Sequence, residues 1–177
     1  MLRRFPLVAT LALAALSATV PLSGSAASAG PRGGTRAVRV EGTGVSDPNV
    51  PIGVSCDATG RCLASTLVPG SVAGDVAGLT ITRGAAYADT TTGDYFGGSV
   101  IMITGAVAGC GEGSMTLSLG DFSGNLALPA VATGVVVPGS GTAALAGVTG
   151  RADFHFSPGA SGAGTYTYSM KLRCRRL

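Results

Sequence analysis

Few side chains here are equipped for chemistry, and they are scattered. His155 is the single histidine, and histidine is the side chain whose ordinary pKa suits a general base near neutrality. It lies between Phe154 and Phe156, which have the stronger claim on an interior, so alternation along a strand turns His155 to solvent. Glu112 and Asp121 could serve as a carboxylate pair for glycoside work, but they fall on one hairpin and read as solvated acids, Glu112 in a Gly-rich turn. Gly139-Ser140-Gly141 has the composition of a phosphate cradle without the strand before it or the long helix after it, and reads as a tight turn. No Gly-x-Ser-x-Gly elbow leads from a strand into a helix. No catalytic residue and no cofactor follow from these motifs.

The tyrosines carry more information. Tyr166 and Tyr168 share a face with Met170, Phe154 lies on a neighbouring alternating strand, and Tyr87 joins them if its strand is kinked. Phenols on an apolar wall can orient a ligand's polar atom while the wall buries the rest. The plainer reading is packing, and both readings place Tyr87, Phe154, Tyr166, Tyr168 and Met170 inside.

Cys56, Cys62, Cys110 and Cys174 form an even set that reads as two disulfides of an exported protein. Of the three pairings, Cys56 with Cys62 closes the turn DATGR, and Cys110 with Cys174 ties a mid-chain hairpin to the last strand. Loop entropy assigns roughly 2 kcal/mol to the short bridge and roughly 4 to the long one. Zinc is disfavoured, because the C-x5-C spacing is wide and one histidine leaves too few nitrogen ligands.

The elements that must position these residues begin after an address label. Arg3 and Arg4, the apolar Leu7 to Leu16 and Ala27-Ser28-Ala29 read as a secretory signal over residues 1–29. No later stretch has the roughly 20 apolar residues of a membrane span. Without Arg3 and Arg4 the remaining charges nearly balance, which argues against nucleic acid as a partner. The basic excess is local, in Lys171, Arg173, Arg175 and Arg176.

Gly is abundant, Trp is absent, and no long run of helix formers occurs. The apolar fraction of 46% is too high for a disordered chain, so the pattern predicts many short strands joined by tight turns. Residues 30–70 read as an N-terminal extension holding a short strand from Arg36 and a Cys-bounded hairpin; residues 71–177 read as the main domain. Within it Leu79 to Asp89, Ser99 to Val107, Ser114 to Phe122, Ala130 to Val137, Arg151 to Phe156 and Tyr166 to Cys174 are strands. Gly84 with Ala85 and Ala86 predicts a bulge that swaps faces before Tyr87. Val100 to Ile103 is apolar on both faces, which predicts an outer cover or a contact with another protein, a second copy included. Eight to ten short strands without a βαβ unit predict an all-β fold, a small closed antiparallel barrel of about eight strands, with a two-sheet sandwich as the alternative.

The stretch VVVPGSGTAALAGVTG ending at Gly150 resembles the corner of the allene oxide cyclase barrel-like superfamily, which includes plant dirigent proteins and uncharacterised secreted bacterial barrels. VAGDVAGLT, FGGSVIMITGAVAGCGEGSMTLSLGDFSG and GTYTYSMKL resemble, in order, a first barrel strand, a central hairpin and a closing strand of the bacterial group. The resemblance covers Val72 to Cys174 and implies a calycin-like, eight-stranded barrel open at one end, with an apolar small molecule in the lumen of several relatives. Plant relatives cyclise an allene oxide or steer phenoxy-radical coupling, and some similar bacterial barrels promote cyclisations. No catalytic residue of theirs matches a motif here, and Ala143 and Ala144 stand where a charged residue is common. The resemblance therefore implies a secreted barrel that binds a small apolar molecule without catalysis. The alternatives are a cyclase or isomerase using the lumen as a template, and a structural or interaction protein of the cell exterior.

Overall fold

The computed structural model describes residues 34–125, 128–159 and 163–176, without the side chains of Asp121 and Phe122. The expected signal, residues 1–29, lies outside the described residues. Nine strands form one antiparallel sheet: β1 (Thr35–Ser46), β2 (Val50–Cys56), β3 (Arg61–Gly74), β4 (Val76–Asp89), β5 (Asp94–Val107), β6 (Gly111–Asn125), β7 (Ala130–Val136), β8 (Thr149–Pro158) and β9 (Gly164–Arg175). The order β1-β9-β8-β7-β6-β5-β4-β3 closes through β1 against β3, so eight strands make a barrel and every central strand loses its edge. The barrel, not the sandwich, is the fold, and no α-helix occurs among the described residues.

Closure uses only part of β3. Gly70 to Gly74 pair with β1, while Cys62 to Leu67 pair with β2, which lies outside the ring. Residues 35–46, within the segment the sequence set apart as an extension, are thus one of the eight barrel strands. The far halves of β3, β4, β5 and β6, with β2, run past the ring as a flap. Two Asp-headed turns order its tip: Asp57 accepts from the Thr59 amide (2.8 Å), the Thr59 hydroxyl (2.7 Å) and the Arg61 amide (3.0 Å), and Asp89 accepts from the Thr91 amide and hydroxyl and the Thr92 amide. These donors hold both carboxyls below the usual carboxylate range. The Thr90 amide and hydroxyl both donate to the Gly60 carbonyl, which locks one turn on the other. The Cys56–Cys62 disulfide closes the β2–β3 turn, and Cys110–Cys174 joins the β5–β6 turn to β9, the pairing favoured from sequence.

The stretch Val137 to Val148 closes the opposite end. The Ser140 hydroxyl accepts from the Thr116 amide (3.0 Å) and the Thr142 hydroxyl accepts from the Ser114 amide (2.9 Å), so side chains satisfy β6 where β7 has ended. Leu145, on a single 3-10 turn (Ala143–Leu145), and Val148 are each 1% exposed and plug the end of the lumen. Above them Val40, Val76, Ile103, Val107, Met115, Leu117, Met170 and Leu172 fill a solid core.

One sequence expectation fails on β4. The β4 ladder runs from Val76 to Ala88 against β5 without a register shift, so no bulge occurs at Gly84 and Tyr87 stays outside with Leu79, Ile81 and Arg83. The irregularity falls one strand further on, where β6 passes the Gly97–Ser99 step of β5 with one extra residue. Outward Val100 and Met102 are 38% and 41% exposed, so no described residue covers the strand predicted to be buried on both faces.

Candidate functional site

Three rings divide the lumen. Phe154 and Phe156 on β8 stack at 5.8 Å, and Tyr166 on β9 meets them at 6.0 and 5.4 Å. Tyr166 and Tyr168 reach across β1 because its inward positions there are Gly44 and Gly42. A Cβ at either glycine would overlap the tyrosine ring lying over it. The Tyr168 hydroxyl accepts from the Val76 amide (3.0 Å) and faces the carbonyls of Ala73 (3.1 Å) and Val76 (3.2 Å), so it pins β9 to the start of β4. Tyr166 reaches the Ser71 carbonyl at 3.5 Å and bonds the Thr80 hydroxyl. Burial pushes both phenols up from their ordinary pKa.

Above the rings the lumen is open. A cavity of about 200 Å³ is lined by Thr66 and Val68 of β3, Thr82 and Gly84 of β4, Tyr95 and Ser99 of β5, Leu119 of β6, Ala130 and Ala132 of β7 and Phe156 of β8. Thr66, Gly84 and Ser99 are direct cross-strand partners. With no side chain on Gly84, the two hydroxyls flank a gap, and a Cβ there would stand 3.3 Å from that of Ser99. Thr66, Thr82 and Ser99 have no hydrogen-bond partner for their hydroxyls among the described residues. The wall is apolar apart from these hydroxyls and the Tyr95 phenol, which burial also pushes up. The β6–β7 ladder spans only Leu117 to Leu119 against Gly134 to Val136, so beyond Leu119 the two strands part at the level of the cavity.

Of the candidates named from sequence, Phe154 and Tyr166 do not line the cavity but pack against Phe156, which does, while Tyr168 and Met170, 3% and 0% exposed, lie a layer deeper in packed core. Tyr87 is half exposed on the outer face and stacks on Phe96 at 5.2 Å, in a shallow concavity of about 740 Å³ with Leu63 and Arg61. His155 is exposed on the outside of β8, Ser140 is engaged with Thr116, and the Asp121 side chain lies outside the described residues. The lining residues that sequence reasoning missed are mostly Thr, Ser, Gly and Ala, whose types carry no signature, with Val68, Tyr95 and Leu119 beside them; Phe156 was legible, being two residues from Phe154 on the same face.

No sequence-family model matches the chain, and no curated protein matches it in sequence. Solved structures share the architecture, among them the following. A protein of unknown function from the DUF3224 family of Shewanella oneidensis MR-1 aligns with TM-score 0.59 at 16% identity, over 77% of this chain and 97% of its own. A pterocarpan synthase dirigent protein aligns with TM-score 0.51 at 13% identity, over 80% of this chain and 92% of its own. The chain has the dirigent-like barrel fold.

Proposed function

We propose that this protein is a secreted barrel that holds a small apolar molecule in the mouth of its lumen and does no chemistry on it. The observation that carries the reading is the cavity above Phe156: apolar, bounded by the ring floor, with a few hydroxyls free to orient a guest. A dry cavity of about 150 Å³ takes benzene, so one of about 200 Å³ suits a single substituted ring whose polar group bonds Thr66 or Ser99. A larger ligand protrudes between β6 and β7. Among the described residues no carboxylate, histidine or lysine lines the cavity, which supports binding over a cyclase or isomerase activity. The two disulfides suit an oxidising exterior and support export.

Native mass spectrometry of the protein from its culture medium tests this, followed by titration with p-cresol and benzyl alcohol. A retained molecule or a saturable adduct is expected, and Ala132→Phe, which fills the cavity from β7, abolishes it while the barrel still melts cooperatively. Adducts equally abundant in Ala132→Phe, or none at all, refute the reading. A second reading, an interaction protein, draws on the exposed apolar side chains of Leu79, Ile81, Phe96, Val100 and Met102 on one outer face. Concentration-dependent mass in sedimentation, lost in Met102→Lys, distinguishes it.

A further inference from the structure

The outer face of β1, β9 and β8 is unlike the rest of the surface. Arg39 stands opposite Lys171, and Lys171 opposite Arg151, so three cations lie abreast on adjacent strands. Alternation puts Arg173 and Arg175 on the same side further along β9, and all five are exposed. At strand spacings near 4.8 Å and same-face steps near 7 Å, these charges form a ladder about 10 Å wide and about 14 Å long. Like charges directly opposed across strands work against a sheet. Yet the only relief among the described residues is the Arg39–Glu41 pair at 2.7 Å; Arg151, Lys171 and Arg173 have no ion partner. Packing does not ask for cations there, because the inward side chains of Met170, Leu172 and Cys174 supply the burial. Two acids, Glu41 and Asp153, stand in the next row on either side of Ser169 and bound the cations at one end, so the ladder's free charge runs from Arg151 and Lys171 toward Arg173 and Arg175.

We propose that this face binds an acidic polysaccharide, whose regularly spaced carboxylates engage Arg39, Arg151, Lys171 and Arg173 in turn. Thr149 stands opposite Arg173 and suits a sugar hydroxyl. Among the described residues no Phe, Tyr or Trp lies on this face to stack a base, and His155 stands two rows from Lys171, which sets the site apart from a nucleic-acid surface. The site is independent of the lumen and of any molecule held there.

Titration of the protein with polygalacturonate, beside neutral dextran and oligo-dT, tests the proposal. Polygalacturonate binds and dextran does not. With about four ionic contacts released as from a flexible polyanion, affinity falls about 50-fold between about 50 and 200 mM salt. Replacing two of the four (Arg151→Ser with Lys171→Ser) halves the salt slope and leaves the melting temperature unchanged or raised. Arg61→Ser with Arg83→Ser, the same change in net charge on β3 and β4, leaves binding intact. Absence of binding, equal loss in the two double variants, or tighter binding of oligo-dT overturns the proposal.

Discussion

Replacing Tyr168 by Phe tests whether the inward tyrosines hold the barrel shut or serve a ligand. The ring stays over Gly42, so packing is conserved and only the hydroxyl is lost. That hydroxyl is the acceptor for the amide of Val76, which is 0% exposed and begins β4. Its loss strands a buried N–H, at a cost of about 1 to 3 kcal/mol. A central value of about 2 kcal/mol lowers the melting temperature of a domain this size by about 4 to 8 °C. The Tyr166 hydroxyl sits at the limit of bonding distance from Ser71 and otherwise meets only the Thr80 hydroxyl, a neutral partner, so Tyr166→Phe strands no backbone group and costs about 1 kcal/mol. Alkaline pH adds a second reading of the same bond. Because burial raises both phenols, the folded state keeps its protons more tightly than the unfolded chain does. The stabilisation is complete below the ordinary phenol value near 10 and is lost as pH climbs through the higher folded one. Calorimetric melting across pH 8 to about 11.5 therefore shows a steep fall in the wild type and a shallower one in Tyr168→Phe, where Tyr166 and Tyr95 remain. A Tyr168→Phe protein that melts with the wild type, or a Tyr166→Phe protein that loses more, refutes the assignment of Tyr168 as the pin between β9 and β4.

The two disulfides differ in what they enclose. Cys110→Ala with Cys174→Ala lowers stability by about 4 kcal/mol, and Cys56→Ala with Cys62→Ala by about 2, because their sequence separations are 64 and 6. Urea titration of both double variants checks this, and equal losses contradict the loop-length account. Ala143 in the end-closing stretch holds φ +49, a left-handed conformation that costs a non-glycine residue about 1 to 2 kcal/mol. Ala143→Gly removes that cost and adds unfolded-state entropy of about half as much, so a gain of about 0.5 kcal/mol is expected in the same titration; a loss shows that the turn is not strained.

What the sequence made legible is what alternation and cysteine spacing encode. On β8 and β9 the period of two runs unbroken, so the inward setting of Ala152, Phe154, Tyr166, Tyr168, Met170, Leu172 and Cys174 and the outward setting of His155 follow from residue types alone. Tyr87 was misplaced because Gly84-Ala85-Ala86 has the composition of a bulge, whereas the glycine serves to clear the lumen between Thr66 and Ser99. The extra residue is on β6 beside Gly97, and only the pairing of two strands reveals it. The cavity was hidden for a related reason: its walls are contributed by six strands and are largely small or hydroxylated side chains, and space is a property of register.

That register also explains why one end of the barrel is open. β3, β4, β5 and β6 are 14 or 15 residues long, while β7 has 7 and β8 has 10, so the ring is tall on one side and short on the other. At the short side's lower end, Leu145, Val148 and the hydroxyls of Ser140 and Thr142 make good the deficit. At the upper end nothing among the described residues replaces the missing β7 partners of β6 beyond Leu119. The packed half can therefore hold the fold while the mouth varies. Substitutions at Thr66, Ser99 or Ala132 that keep β propensity should change what is bound far more than they change stability, and substitutions at Met170 or Leu117 should do the reverse.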